Sequence, residues 1–482
     1  MTSIVISTGQ SSADFSFREC ARAVFVVMPF FPWLQSCSYL QDWGTIYYRC
    51  PYRLFRSSRA DERQHRKETG RGKIMRFVQT LVLMLLLSAV DVAQAETPAS
   101  MTILEFGDSK TLFVADPDGG RVFAYTLADQ PAQTQSQSYN LVGFGSKVAH
   151  TLGADSRALR FHDIAVHPAT RSVWLSVSVQ RDDGAESFLL TVDQSGRISR
   201  VDPSHLQSTS TRLTGAATEG VRFWRNIPAT TLAITDLDYV DGTLYVSGLS
   251  TGEFASTLRK VAYPFSQTTT ISKIEIYHTV HNQTETRAPI RAMTIMNLNG
   301  EPTVIAAYTC TPLVTIPVSK LNDGAHVRGK TIAELGYGNT PLDIISFTAP
   351  NQEQKPEGYI LVIHKERSAD LIKVSDLAVA TTQKGLSKPE LWAQAGVKTR
   401  PLPLAGALAV ADQDEQLLVT LKRNLTTGDI DLVSFRKGAY FRLSDFISEY
   451  NFPDYKYAPE QEFYRKFQNL LKADAGYPDL AR

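Results

Sequence analysis

Cys310 and four histidines are the candidate metal ligands of this chain. His278 and His281 lie three positions apart in the sequence HTVH, and the other two histidines are His162 and His364. Imidazole and thiolate groups are ligands that copper and zinc prefer, and tetrahedral zinc sites are commonly built from them. A spacing of three suits a loop or a turn, because in a strand it directs the two side chains to opposite faces. These residues predict a copper or zinc site; the alternative interpretation is solvated loop histidines and a packed core thiol.

Three aspartates form a second candidate group. Asp163, Asp236 and Asp343 each stand at the start of an apolar run, and Arg291 begins another such run. Carboxylate oxygens are the ligands that a hard cation such as calcium prefers. An aspartate at the start of a strand also commonly caps a turn or a neighbouring backbone N–H group. The residues therefore leave two interpretations open, a calcium site and a structural role.

The runs that must position these side chains are β-hairpins. In ITDLDYVDGTLYVSGL, two runs rich in β-branched and aromatic residues flank an Asp-Gly turn, which is a strong hairpin signal. Looser versions of this unit begin at Glu105, Asp163, Ile290, Pro341 and Gly406. A recurrence at roughly 40 to 55 residues is the scale of four-stranded propeller blades. The pattern predicts an all-β fold, a β-propeller of about six blades with seven as the alternative count, and it fits a sandwich or a barrel less well.

The predicted propeller occupies residues 96–443. Its first blade spans Thr102 to about Gly145 and takes Ser138 to Val142 as a fourth strand, after which GSKVAHTLGADS predicts one short helix. A polar connection from Pro203 to Ala229 separates the second blade from the third. The later blades begin near Phe161, Ile234, Ile290, Leu342 and Gly406. Residues 444–482 are predicted to form a tail with a short helix.

The propeller arrangement predicts that the candidate residues share one face. In a propeller, the loops that enter the innermost strands and the loops that leave the second strands lie on the same side of the disc. The first set of loops holds His162, Asp163, Asp236, Arg291 and Asp343, and the second holds Arg181, Cys310, His364 with Lys365, and Arg423. The segment before the fourth blade adds His278, His281 and Glu285. We expect these side chains to converge.

The beginning of the chain predicts export. From Met75, a basic residue, an apolar run to Val90 and the sequence Ala-Gln-Ala before Glu96 have the three-part form of a secretory signal peptide over residues 75–95. The run is shorter than the roughly 20 residues that a membrane helix needs, and Asp91 ends it, which disfavours an anchor. Residues 1–74 hold 11 Lys and Arg against 6 Asp and Glu and are predicted to be a non-native or disordered extension. We expect a periplasmic or secreted protein with no stable membrane span after signal cleavage.

Composition and absent motifs exclude several classes of function. The chain has 482 residues and a formal net charge of +1, and no dense basic run follows Lys73, so a nucleic-acid partner is not predicted. Three of the four cysteines precede Met75, which leaves Cys310 alone in the predicted exported part and excludes a disulfide framework there. There is no Cys-x-x-Cys-His for covalent haem, no nucleotide-binding motif and no nucleophile elbow.

A resemblance supports the propeller interpretation. The phrases FVADPDGGRVFAY, DIAVHPATRSVWLSV and ITDLDYVDGTLYVSGLS resemble NHL and related quinoprotein-type propellers of secreted bacterial proteins. Most of the predicted exported part, from ITDLDYVDG to GNTPLDII and beyond, also resembles a group of exported bacterial proteins without assigned activity. The resemblance implies a fold and a compartment but no catalytic residue.

Two known propeller chemistries can be compared with these residues. Quinone-dependent propellers repeat a Trp-bearing motif in nearly every blade, whereas the predicted exported part has only three tryptophans, so a quinone cofactor is not predicted. Lactonase-type propellers hold a central divalent ion with carboxylates and amides. That likeness implies a lactone or ester hydrolase in which Asp163, Asp236 and Asp343 hold the ion.

Binding without chemistry is the function that the sequence favours. Arg222, Trp224 and Arg225 form a charged and aromatic group of the composition found at binding hot spots. The alternative is an inter-blade packing tryptophan with solvated arginines. Propeller loops are rigid platforms for ligands. We expect a binding or scaffold module for an unknown protein or small-molecule ligand, with a copper- or zinc-binding propeller and a divalent-cation-dependent hydrolase as alternatives.

Overall fold

The computed structural model describes residues 97–437, except for 134–135, 183, 218–219, 224–225, 267–268, 337, 352, 354 and 391–393. In this part of the chain, six sheets of mainly antiparallel strands surround a common axis, and the innermost strand of each contacts the innermost strands of two neighbours. The protein is therefore a six-bladed β-propeller, as the sequence predicts. The predicted extension at 1–74, the predicted signal peptide at 75–95 and the predicted tail at 444–482 lie outside the described residues.

The first part of the chain contributes nine strands and one helix. In order, these are β1 (Leu104–Asp108), β2 (Thr111–Asp116), β3 (Arg121–Thr126), β4 (Asn140–Leu141), α1 (Phe144–Leu152), β5 (Leu159–Val166), β6 (Val173–Arg181), β7 (Gly184–Val192), β8 (Ile198–Val201) and β9 (Gln207–Arg212). The predicted short helix after the first blade is α1.

The middle of the chain contributes ten strands. In order, these are β10 (Asp236–Val240), β11 (Thr243–Leu249), β12 (Ser256–Ala262), β13 (Thr269–His278), β14 (Gln283–Glu285), β15 (Ile290–Leu298), β16 (Glu301–Tyr308), β17 (Pro312–Pro317), β18 (His326–Arg328) and β19 (Lys330–Glu334).

The last part contributes eight strands and the second helix. In order, these are β20 (Pro341–Pro350), β21 (Pro356–His364), β22 (Ala369–Lys373), α2 (Val374–Thr382), β23 (Ala395–Gly396), β24 (Arg400–Leu402), β25 (Ala407–Asp412), β26 (Leu417–Arg423) and β27 (Ile430–Arg436). Neither helix is long and apolar enough to cross a membrane, a finding that applies to the described residues.

The blades are numbered by the position of their innermost strand in the chain. Blade 1 is β1-β2-β3-β9, blade 2 is β5-β6-β7-β8, and blade 3 is β10-β11-β12-β13 with β14 and β18 beside β13. Blade 4 is β15-β16-β17-β19-β23, blade 5 is β20-β21-β22-β24, and blade 6 is β25-β26-β27-β4.

The order of the blades around the axis differs from their order in the chain. Contacts between innermost strands run β1 to β10, β15, β20, β25, β5 and back to β1. Blade 2 therefore lies between blades 6 and 1, and blade 3 lies on the other side of blade 1. Six clusters of buried apolar side chains follow the same order, each shared by two neighbouring blades. Burial of these side chains at roughly 1.5 to 3 kcal/mol each stabilises every junction in the ring.

Two strands close the ring by crossing between blades, and the prediction for blade 1 is wrong on this point. The segment predicted as its fourth strand forms β4, which pairs with β27 of blade 6. The real fourth strand of blade 1 is β9, which pairs with β3 from within the predicted polar connection. The first blade is thus completed only after the chain has built blade 2, because the pairing partner is decided by the ring and not by proximity in sequence.

The hairpin turns have the geometry that their residues favour. Between β10 and β11, Asp241 and Gly242 have φ of 48° and 79°. Between β15 and β16, Asn299 and Gly300 have φ of 55° and 85°. Two consecutive positive φ values define the turn type that joins twisted strands with a two-residue loop. These turns fix the register of each inner hairpin, with Val240 opposite Thr243.

Candidate metal centre

His278, His281 and Cys310 form one cluster at the junction of blades 3 and 4. One nitrogen of each imidazole and the Cys310 sulfur all lie within 4.8 Å of one another. Among the described residues, no other group of three His, Cys, Asp or Glu side chains brings its ligand atoms this close. His278 ends the outer strand of blade 3, and Cys310 lies in the turn after the second strand of blade 4. Both strands end at the face where the innermost strands begin, which we call the top face.

The sequence HTVHNQTE places both imidazoles on the same side of a hairpin. β13 ends at His278, β14 begins at Gln283, and these two residues face each other in the register. The intervening turn, in which Asn282 has a φ of 50°, brings the ring centroids of His278 and His281 to 4.0 Å. A continuous strand would have directed the two rings to opposite faces. The two rings come together because the strand ends at His278 and the chain turns before His281.

Glu285 holds both histidines by the same ring atom. Its Oε2 lies 2.9 Å from Nδ1 of His278, and its Oε1 lies 2.6 Å from Nδ1 of His281. Glu285 does not contact Nε2 of either imidazole. Nε2 of His278 is buried and makes no well-formed hydrogen bond in the described structure, although Cys310 is close enough to influence the ionisation of His278. A metal-binding imidazole commonly forms a hydrogen bond to a carboxylate through the ring nitrogen that does not bind the metal. Here one carboxylate supports two.

The charges of the cluster reinforce one another. Burial alone would lower the pKa of His278, but its contacts with Cys310 and Glu285 raise that pKa to about 9. Burial alone would raise the pKa of Glu285, but hydrogen bonds from His278, Gln283 and His281 lower it to about 2. Without an ion, His278 is therefore protonated at neutral pH. Because a metal ligand must be neutral imidazole, binding of an ion would release this proton.

The backbone at Cys310 is strained. Cys310 has a φ of 72° and Thr311 a φ of 109°, in a turn closed by the Thr311 N–H and the Tyr308 carbonyl at 3.1 Å. Positive φ costs a residue with a β-carbon about 1 to 3 kcal/mol, and it persists only where the surroundings impose it. Such strain concentrates at functional sites. Cys310 is also only partly buried, unlike a packed core thiol.

Glu334 joins the two segments that carry the candidate ligands. This fully buried carboxylate accepts hydrogen bonds from the hydroxyls of Thr279 and Thr311, and the Gly336 N–H points to it at 3.3 Å. Thr279 follows His278 and Thr311 follows Cys310, so one side chain positions both ligand-bearing turns. Burial raises the pKa of Glu334. No sequence pattern indicates this residue, because the three segments meet only in the folded ring.

Two predicted ligands are not part of the cluster. His162 is exposed on the innermost strand of blade 2, and its Nε2 lies 2.8 Å from the Ser178 hydroxyl. His364 is fully buried at the end of β21, where its Nε2 lies 3.0 Å from Asp370 Oδ2. The prediction of one site containing all five residues is corrected to the three at the junction of blades 3 and 4. His162 and His364 lie on other blades, outside the cluster. Their spacing in the sequence does not indicate this separation.

The three predicted aspartates tie neighbouring blades together. Each carboxylate accepts one N–H from its own strand and one from the innermost strand of the next blade. The inter-blade bonds run from Leu104 to Asp163 at 2.9 Å, from Met293 to Asp236 at 2.5 Å and from Val410 to Asp343 at 2.9 Å. They join blades 1 and 2, 3 and 4, and 5 and 6, which is every second junction of the ring. This is the structural role that the sequence left open.

The central channel concentrates carboxyl groups. Glu105 and Asp238, which sequence reasoning did not select, join the three aspartates there and influence one another's ionisation. Burial and mutual repulsion raise the pKa of Glu105, Asp163 and Asp236 well above the ordinary range, and burial raises that of Asp238 to about 7 and that of Asp343 to about 6. The sequence could have indicated Asp238, because residues two apart in a strand share a face and Asp236 had already been selected.

Arg291 is the positively charged residue that the sequence analysis grouped with the three aspartates. It lies in the irregularity at the start of β15, close enough to Asp236 for that carboxylate to favour its charged form. Burial opposes this and lowers the pKa of Arg291, and its Nε has no hydrogen-bond partner among the described residues.

Of the predicted binding group, Arg222 lies on a small hairpin before blade 3. Phe223 N–H donates to the Ile227 carbonyl at 2.7 Å, and Ala229 N–H donates to the Val221 carbonyl at 2.9 Å. Arg222 is exposed and donates through Nη1 to the Asn226 carbonyl at 2.9 Å. The other two predicted residues, Trp224 and Arg225, lie outside the described residues.

Comparison with known proteins gives no sequence match and only weak structural matches. No protein-family model matches the sequence, and no curated protein is similar to it in sequence. Among solved structures, virginiamycin B lyase from Staphylococcus aureus is 8% identical, with a TM-score of 0.28 over 71% of this chain and 96% of the lyase. The extracellular domains 1–2 of Drosophila semaphorin 1b are 9% identical, with a TM-score of 0.31 over 70% of this chain and 84% of that one. At these values the likeness carries no argument about function.

Proposed function

We propose that this protein is a β-propeller that binds one copper or zinc ion through His278, His281 and Cys310. The observation that carries the proposal is the convergence of the three ligand atoms within 4.8 Å while one carboxylate occupies the outer nitrogen of both histidines. Copper and zinc suit a thiolate with two imidazoles, whereas magnesium and calcium require oxygen ligands. Bonds of about 2.0 to 2.3 Å would draw the three atoms slightly together.

The channel carboxylates support a hydrolase proposal less well. Asp163, Asp236 and Asp343 are each engaged by two backbone N–H groups, and their oxygens are not gathered within 4.8 Å in the described structure. A divalent ion would have to displace the bonds that join the blades. We therefore place the metal at the junction of blades 3 and 4.

Replacing Cys310 with alanine is expected to remove the bound ion. The full chain, equilibrated with zinc or with copper under reducing conditions and then dialysed, should retain about one ion more per chain than the variant. Loss of a direct ligand should lower affinity by more than the roughly 10- to 100-fold typical of outer contacts. Elemental analysis measures the ratio. Cys20, Cys37 and Cys50 are present in both proteins, so any binding at those thiols cancels.

The matched control is His162→Ala, which removes a top-face histidine outside the cluster. It should retain as much metal as the original protein. Equal metal content in the original protein and the Cys310 variant would exclude this site.

A second candidate function is binding of a protein partner through the hairpin at 221–227. Val221, Phe223 and Ile227 are three of the six large apolar side chains found exposed among the described residues. Such a concentration of exposed apolar side chains is typical of a contact surface. It favours the binding or scaffold module that the sequence predicts.

A photo-crosslinking amino acid at position 223 is expected to give a discrete adduct in the producing cell. The same amino acid at Val379, an exposed apolar position on α2, serves as the control and should give none. The adduct is detected by its mass on a denaturing gel. Equal labelling from both positions would mean that the hairpin makes no specific contact.

The compartment is part of the same proposal. Export from Met75 and cleavage after Ala95 would deliver the propeller to the periplasm or the medium, in keeping with the resemblance to secreted bacterial NHL-type propellers. A single cysteine beside two histidines is protected from oxidation when an ion occupies it. Mass spectrometry of the mature native protein tests the cleavage site.

A further inference from the structure

We propose, on the basis of the metal site above, that the ion keeps one coordination position open to solvent, filled by water and exchangeable for a small anion. Three protein ligands are available, and zinc or cobalt in such a site completes a tetrahedron with a fourth. Sites closed by four protein ligands are structural, whereas those with three hold an exogenous ligand in the fourth position.

The two nearest carboxylates are already committed to other contacts. Glu285 uses one oxygen for each histidine, and Gln283 donates to the same Oε1 at 3.0 Å. Glu334 uses its oxygens for the hydroxyls of Thr279 and Thr311. Either carboxylate could bind the ion only by breaking the hydrogen bonds that position the three ligands of the ion. Neither is therefore the fourth ligand.

The remaining predicted ligands are also excluded. His162 and His364 are not within reach of the cluster, and His364 is paired with Asp370 in the interior of blade 5. No additional His, Cys, Asp or Glu among the described residues places a ligand atom in the 4.8 Å group. The fourth ligand must therefore come from outside these residues, and water is the one always present.

Exposure of the three ligands differs in a way that leaves one side of the ion open. The His278 side chain is 1% exposed and lies at the base of the cluster, whereas the His281 side chain is 44% exposed. Cys310 is partly exposed. A ligand arriving from solvent therefore meets the ion on the side of His281 and Cys310. Exchange requires only that a metal-bound water leaves and the incoming anion takes its place.

Cobalt substitution with azide tests the open position. The full chain and the Cys310→Ala variant are loaded with Co²⁺, and the difference spectrum isolates the cobalt bound at Cys310, including its thiolate-to-cobalt charge-transfer band. Addition of azide is expected to shift the visible cobalt bands and to saturate at one azide per cobalt. Perchlorate at equal ionic strength, which coordinates weakly, should leave the bands unchanged.

The outcomes separate this inference from the proposed function. If the difference spectrum shows no Cys310-dependent cobalt, the metal site itself is wrong. If it shows a four-coordinate cobalt whose bands do not respond to azide, the site exists but is closed, and the open position is overturned. A shift produced equally by azide and perchlorate would be a salt effect and would also overturn it.

Discussion

Replacing Glu285 with glutamine is expected to weaken zinc binding by about 10- to 100-fold, the range for outer-shell changes at metal sites. The amide has nearly the same shape but only one acceptor atom. It can accept from the Nδ1–H of one histidine, and its NH₂ group then faces Nδ1 of the other. That second imidazole must carry its proton on Nε2, the ligand atom, and must lose it before it can bind the ion.

The measurement is a zinc titration in competition with a chelator of known affinity. The matched control is Glu275→Gln on β13, which removes a carboxylate that contacts His326 at 3.3 Å and Arg328 at 3.5 Å, outside the cluster. The control should bind zinc as the original protein does. An equal loss in both variants, or no loss at Glu285, would mean that the carboxylate does not position the histidines.

Replacing Asp238 with asparagine is expected to stabilise the protein more at about pH 8 than at about pH 5. Burial raises the folded-state pKa of Asp238 from 3.8 to about 7, so between these values the folded protein holds a proton that the unfolded chain has lost. The stability from this group is complete below about pH 4 and is lost as the pH rises through 7. Asparagine keeps the acceptor for the Ile295 N–H, 2.7 Å away, and carries no charge.

The gain in unfolding free energy should be larger at about pH 8 than at about pH 5 by on the order of 2 kcal/mol, since each unit of pKa shift corresponds to about 1.4 kcal/mol and the channel carboxylates share their repulsion. Denaturant unfolding at the two pH values measures it. Asp241→Asn, in the exposed turn of the same hairpin, is the control and should show no such difference. Subtraction of the two proteins also removes the contribution of His278, which titrates over the same range. An equal gain from Asp238→Asn at both pH values would contradict the argument.

Much of the fold could be predicted because its unit is local. Asp241-Gly242 and Asn299-Gly300 adopt the turn that only such residues adopt at low cost, and alternating β-branched strands on either side must pair. Six repetitions of that unit are enough to indicate a propeller. The error at 138–142 shows the limit, since a two-residue strand pairs wherever an open edge is available, and that edge was on β27.

The residue types of the candidate site could be predicted from the sequence, but the particular residues that come together there could not. The local sequence HTVHNQTE contains the two histidines, their turn and the supporting carboxylate, so those four features follow from one hairpin. Cys310 and Glu334 come from another blade, and nothing in their neighbourhoods distinguishes them from His364 or Asp343. Their positions depend on which blades are adjacent.

The sequence by itself determined the hairpins, a blade count of six or seven, and the residue types from which a metal site could be built. Only the tertiary structure decided the order of the blades, the partner of each crossing strand and the choice of His278, His281 and Cys310 from five candidates. The physical reason is that turn geometry and side-chain alternation act within a few residues. Blade adjacency instead arises from apolar faces that are alike in every blade and become distinguishable only when the ring closes.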